Sequence, residues 1–248
     1  DAYGVEGAAT NFTGLQAHRQ RQASRTHLVI GPWVHGIPSP GKTRAGDLDF
    51  GPGAGLDYDA LVLDFHDHYL RGINNRFAKE PPVRYFVMGA NEWRESDGWP
   101  PARRGWEILY LRDDAAKGPG LSSSAPQEPE SSSPLKADPR SPVVDPHDAP
   151  GPHDYRALDV RDDVLSFETE PLPEDLWVAG PFGELIYASC DCRDFDLWVR
   201  LLDVHPDGRA YNVTSAGNDV VRASYRDPGE GRRPLEPGRV YELWVRDS

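Results

Sequence analysis

At 248 residues the chain is long enough for one large or two modest domains with a sizeable buried core. Its formal net charge of −13 argues against a nucleic acid or an anionic membrane as a partner, because both need a basic patch. No stretch approaches the ~18 consecutive apolar residues of a membrane span, and two cysteines exclude a disulfide scaffold. The chain opens on Asp1 rather than methionine, so the lack of a signal peptide says little about export; the scarcity of cysteine points to the cytoplasm.

Val5, Ala8, Phe12 and Leu15 recur at helical spacing, with Glu6 at the favourable start and His18, Arg19 and Arg21 at the end. Leu28-Val29-Ile30 then reads as a short buried strand that stops at Gly31-Pro32 and presents Trp33 and His35 just past its end. Strand ends of this kind are where α/β enzymes place catalytic groups. Residues 36–56 form a Gly/Pro-rich loop without periodicity. A second helix follows, capped by Asp57 or Asp59, carrying Leu61, Phe65 and Tyr69, and ending at Gly72. His66 and His68 lie two positions apart on this helix and face different ways, so no metal site is expected from them.

The character changes at Pro81-Pro82. Val83–Gly89 alternates as a strand and Trp106–Leu111 follows as another. Residues 113–154, rich in Pro, Ser, Gly and Asp, predict a long and partly mobile loop. Strands are then expected at Val164–Thr169, Leu176–Ala179, Glu184–Ser189, Phe195–Asp203, Ala210–Val213, Val220–Tyr225 and Val240–Val245, with turns at Pro206-Asp207-Gly208 and Pro237-Gly238. Cys190 and Cys192, in an extended segment, would point to one face of a strand, a poor geometry for bridging each other. Asp191, Asp194 and Asp196 lack the glycine and terminal glutamate of a calcium loop and read as a polar edge or as hydrogen-bond acceptors between strands. The fold class is thus α/β plus all-β: a small α/β piece, residues 1–81, followed by a β-sandwich or jelly roll, residues 82–248. An α/β piece of this size is too short for a full doubly wound domain.

Gly31-Pro32-Trp33-Val34-His35 after an aliphatic strand resembles the GPWxH segment of the CocE/NonD hydrolases. The likeness continues through Phe65–Gly72, Trp99-Pro100-Pro101, Arg161–Phe167 with Pro171-Leu172, Gly180-Pro181, Asp194-Phe195-Asp196 and Leu202–Gly208, in the family's order. The resemblance implies an α/β-hydrolase with a helical cap and a C-terminal jelly roll, cleaving esters or amides (X-Pro dipeptidyl bonds among them) by a serine nucleophile, with no cofactor and no metal. Residues 1–81 would be the tail of the hydrolase domain. His35 matches the catalytic histidine. Asp1, 34 positions earlier and directly before the first helix, matches the catalytic acid, although the Gly-Trp that precedes it in the family is absent; Glu6 is the fallback. No G-x-S-x-G elbow occurs in the chain, so the serine is expected upstream of Asp1. A Gly-His-Arg block that the family carries near its end is also absent. The chain is therefore expected to be a fragment cut at both ends and inactive alone, its partner a small-molecule or short-peptide ester or amide. The competing reading is a non-catalytic β-sandwich that binds carbohydrate or protein through Trp93, Trp99, Trp106, Trp177 and Trp198.

Overall fold

The computed structural model describes residues 5–18, 25–36, 39–101, 105–114, 118–127, 131–214 and 219–247. Helix α1, Val5–His18, is followed by strand β1, Leu28–Ile30. A small hairpin, β2 (Arg44–Ala45) and β3 (Leu48–Asp49), leads to helix α2, Tyr58–Arg71. The remaining strands are β4 (Val83–Val87), β5 (Glu92–Ser96), β6 (Tyr110–Asp114), β7 (Gly118–Ser122), β8 (Phe182–Ala188), β9 (Asp196–Trp198), β10 (Leu202–Val204), β11 (Ala210–Asn212), β12 (Val220–Arg222) and β13 (Tyr241–Asp247). After residue 82 no α-helix occurs among the described residues. Nor is any described helix long and apolar enough to cross a membrane.

The sheet that matters for the site has the order β1-β4-β5. β1 runs parallel to β4, with Leu28, Val29 and Ile30 opposite Val83, Arg84 and Tyr85. β5 returns antiparallel, Ser96 opposite Val83. The α/β layer therefore continues through Pro81-Pro82 into the strands that follow. β5 was not foreseen, because Glu92-Trp93-Arg94-Glu95-Ser96 is mostly charged; Trp93, packed on Phe86, supplies its apolar contact.

Helix α1 packs on this sheet through Phe12, which joins Leu28, Val83 and Tyr85 in one buried cluster. Its apolar stripe runs through Ala9 and Phe12, one position round from the expected Ala8, which is exposed. The direction of the helix follows from the register. Ser96, Val83 and Leu28 mark one end of the sheet, and Thr13, Gln16 and Ala17 share a cleft with Asp97, Gly98 and Trp99 at that end. The last turns of α1 thus lie beside the start of β1, and the helix begins at the opposite end, where β1 runs out into Gly31–His35.

Helix α2 is specified locally. Asp57 accepts the Ala60 amide at 3.0 Å as N-cap. Gly72, at φ 69°, closes the helix, with its own amide on the His68 carbonyl and that of Ile73 on Asp67. Phe65 and Tyr69 close round Phe77 and His27, whose Nε2 lies 2.8 Å from the Tyr69 hydroxyl. Burial raises the Tyr69 phenol pKa against the opposing charge of Arg25.

The second half is built from two-stranded antiparallel pairs: β6-β7, β8-β13, β9-β12 and β10-β11. None of these sheets closes on itself. Expectations fail here at several points. Val164–Thr169, expected as a strand, holds only an isolated bridge at Glu168, and the strand expected at Trp106–Leu111 begins at Tyr110. Residues 113–154 are not one structureless loop, since Gly118–Ser122 pairs with Tyr110–Asp114, and Glu168 bridges to Gly120. The far end of that segment is pinned by charge rather than by apolar bulk. Asp145 accepts the Tyr155 hydroxyl at 2.9 Å and Arg200 at 3.1 Å, and His153 is buried. Leu176–Ala179, expected as a strand, has no strand partner, and Leu176, Trp177 and Val178 are exposed.

Asp194, expected as an acceptor between strands, lies just before β9 and accepts from the end of β12 and the turn that follows it. It takes the Ser224 amide at 3.0 Å, the Ser224 hydroxyl at 2.7 Å and Arg222 at 3.2 Å. Burial alone would push its pKa up, but Ser224 and Arg222 together hold it down at about 2. The Arg156 fork holds Asp154 at about 2 likewise, helped by the Ala210 amide against partial burial. A carboxylate depressed in the folded state contributes stability that is complete above its unfolded value, near 3.8, and is lost as pH falls toward 2. The thermal midpoint should accordingly drop through that window. In the Asp194→Asn variant it should start lower and fall less steeply; an unchanged slope would show that Asp194 is not one of the groups responsible.

Candidate functional site

The loop after β1 is clamped from its first residue. The Trp33 indole folds back over Gly31 so closely that a Cβ at 31 would lie 2.4 Å from the ring, which explains glycine at that position. Trp33 donates its indole N–H to the Ala54 carbonyl at 3.2 Å and leans on Trp93, which donates to Gly53 at 2.8 Å. The Val34 amide donates to the Ser39 hydroxyl at 3.1 Å, and its side chain joins the cluster of Ala45, Phe50, Ala54 and Phe86. Gly36 then turns the chain at φ 98°, and its carbonyl receives the Ser39 amide at 2.9 Å. His35 sits between these two fixed points and is exposed. It is therefore an exposed histidine whose backbone is held on both sides, at the end of the sheet where β1 runs out.

Asp1, the expected acid, lies outside the described residues, and so does the side chain of Glu6. Two of the tryptophans set aside for a binding surface serve packing. Trp93 lies between Trp33 and Phe86 under Arg84, and Trp99 packs against the cluster that holds Phe12. Trp198 donates to Asp219 at 2.6 Å under Arg200. Trp177 is half exposed, stacked on Tyr85 with Arg94 over its ring at 4.4 Å, and Trp106 is exposed. Among the described residues no three histidine, cysteine or acidic side chains are grouped to hold a metal ion.

Residues 75–246 match the family model of the X-Pro dipeptidyl-peptidase C-terminal non-catalytic domain. The chain belongs to the CocE/NonD hydrolases. Among the relatives of this CocE/NonD chain, cocaine esterase of Rhodococcus sp. is 33% identical over 232 residues, covering 88% of this chain and 39% of the esterase. The crystal structure of an aminopeptidase from a marine sediment Thaumarchaeota archaeon superposes with a TM-score of 0.81 at 27% identity, over 95% of this chain and 41% of that one. An α-amino acid ester hydrolase does so with a TM-score of 0.77 at 26% identity, again over 95% and 41%. The chain thus spans about two fifths of the length of these relatives. His35, Trp33, Val34 and Ser39 lie outside residues 75–246, the part matched to the non-catalytic domain, while Trp93 and Phe86, which pack against that loop, lie inside it.

Sequence reasoning passed over the buried ion network of the second half. Arg200 lies between the rings of Tyr155 and Trp198, 4.3 Å from each centroid, and bonds Asp219 at 2.6 Å and Asp145 at 3.1 Å. Burial, with Asp145 beside it and Arg200 partly opposing, pushes the Tyr155 phenol to about 12. The signal was present: a single arginine inside the apolar run Phe195–Asp203 needs a buried partner.

Proposed function

We propose that the chain is the C-terminal part of a serine hydrolase, formed by the tail of an α/β-hydrolase domain and a jelly-roll domain. In this reading His35 is the general base and Asp1 the acid that orients it. The nucleophilic serine and the oxyanion hole come from residues that precede Asp1, in the Ser-acid-His order of the fold. The observation that carries the reading is the mount of His35. His35 lies in the loop that follows β1, where the clamp fixes the backbone on either side of an exposed residue.

The chemistry follows from those roles. The imidazole takes the serine proton as Oγ attacks the acyl carbonyl, and returns it to the departing alcohol or amine. Water then repeats the sequence on the acyl-enzyme. The acid keeps the imidazole in the tautomer that accepts at the serine-facing nitrogen and stabilises the imidazolium. The names of the relatives, an esterase, an ester hydrolase and an aminopeptidase, support a small acyl ester or a short peptide as substrate.

A fluorophosphonate probe tests this directly. The chain expressed with its upstream residues should be labelled at one serine N-terminal to Asp1, and the 248-residue chain alone should remain unlabelled. Silence of the longer protein, with binding to carbohydrate or protein in its place, would favour a binding module instead.

A further inference from the structure

Between β8 and β9 the chain does not run extended. It bends at Asp191–Arg193, and the bend brings the two sulfurs together: Cys192 Sγ lies 3.1 Å from Cys190 Sγ. The expectation that residues two apart would present parallel side chains held for a strand, and the bend removes its premise. Closing 3.1 Å to the bond length of about 2.05 Å requires about 1 Å of sulfur movement. Thiolates around a tetrahedral zinc would stand about 3.8 Å apart, so the spacing suits a bridge better than a metal.

The bend is held from both sides. The Cys190 carbonyl accepts the Gly238 amide at 2.8 Å, and the Arg193 carbonyl accepts the Leu235 amide at 2.8 Å. Immediately beyond, Asp194 is fixed by Ser224. The two thiols also differ in access. Cys190 packs against the cluster of Ala223, Leu235 and Leu243, whereas Cys192 is exposed. Burial raises the Cys190 thiol pKa, which leaves Cys192 as the group to meet a reagent from solvent.

We propose that Cys190 and Cys192 form a reversible dithiol–disulfide modification site that exchanges with small-molecule disulfides of the glutathione class. The Cys192 thiolate attacks one sulfur of the disulfide and expels the first thiol. The Cys190 thiolate then attacks Cys192 Sγ in the mixed disulfide and expels the second. Two protons and two electrons leave the protein, and one disulfide becomes two thiols. A loop this short constrains the unfolded chain very little, so the bridge is a readily reduced mark rather than a structural staple.

Incubating the 248-residue chain with oxidised glutathione should yield a species lighter by two hydrogens, with no retained glutathione, that dithiothreitol reverts. The Cys190→Ser variant should trap a glutathione adduct at Cys192, and the Cys192→Ser variant should form its adduct about tenfold more slowly, because its remaining thiol is half-buried. A peptide of residues 188–194 should bridge more slowly than the folded chain. Stable adducts on both cysteines, a disulfide-linked dimer, or equal bridging rates for peptide and folded chain would each overturn the proposal.

Discussion

In the chain joined to its upstream residues, His35→Ala should abolish acylation of a fluorophosphonate or ester substrate. Asp1→Asn should lower turnover by on the order of 10⁴, because an amide in the acid's place fixes the wrong imidazole tautomer. The two variants separate the parts of the proposed mechanism. Near-normal rates in the His35 variant would remove the general base and with it the hydrolase reading. Near-normal rates in the Asp1 variant alone would move the acid elsewhere, with Glu6 next in line at the same helix start. Folding should survive the His35 change. The residue is exposed, and the surrounding clamp runs through Trp33, Val34 and Ser39. Retained thermal stability of His35→Ala therefore makes its activity loss readable as chemistry.

What could be read from the chain before its fold was known divides by the range of the interaction that decides it. α2 is legible because Asp57, one of the two N-cap candidates, and Gly72 cap it through contacts local to the helix. β8 and β13 were foreseen because alternation along each strand matches a core on one side, with Leu243 and Val245 buried and Trp244 exposed. Phe195–Asp203 was read as one strand and is two. Its first half pairs with β12 and its second with β11, and the Val199 amide turns to the Asp219 carbonyl between them. No local signal distinguishes an apolar run that serves one neighbour from a run that serves two. The site divides the same way. The strand end and His35 are local features, but the orientation of α1, with its last turns beside the start of β1, emerges only from the β1-β4-β5 register.

Removing the Arg200 charge should cost more stability than any surface ion pair in the molecule. Its side chain is 8% exposed and that of Asp219 1%, so water cannot replace either partner. Arg200→Met keeps the aliphatic stem between Tyr155 and Trp198 but removes the Arg200 charge from beside the buried Asp219. Breaking a buried pair in this way costs about 3–5 kcal/mol. For a chain of this length that is a fall of about 6–20 °C in thermal midpoint. Arg209→Met is the control. Its partner Asp207 is about half exposed, as is Arg209 itself, so solvent screens the pair and its loss should move the midpoint little. The double change Arg200→Met with Asp219→Leu should recover much of the deficit, since the stranded carboxylate is then gone and the pocket is apolar. Equal midpoints for Arg200→Met and Arg209→Met would mean that water reaches Asp219 and that the network is no stronger than a surface pair. A fall confined to Arg200→Met, relieved by the second change, would establish that the penalty lies in the uncompensated buried charge rather than in lost packing around Tyr155 and Trp198.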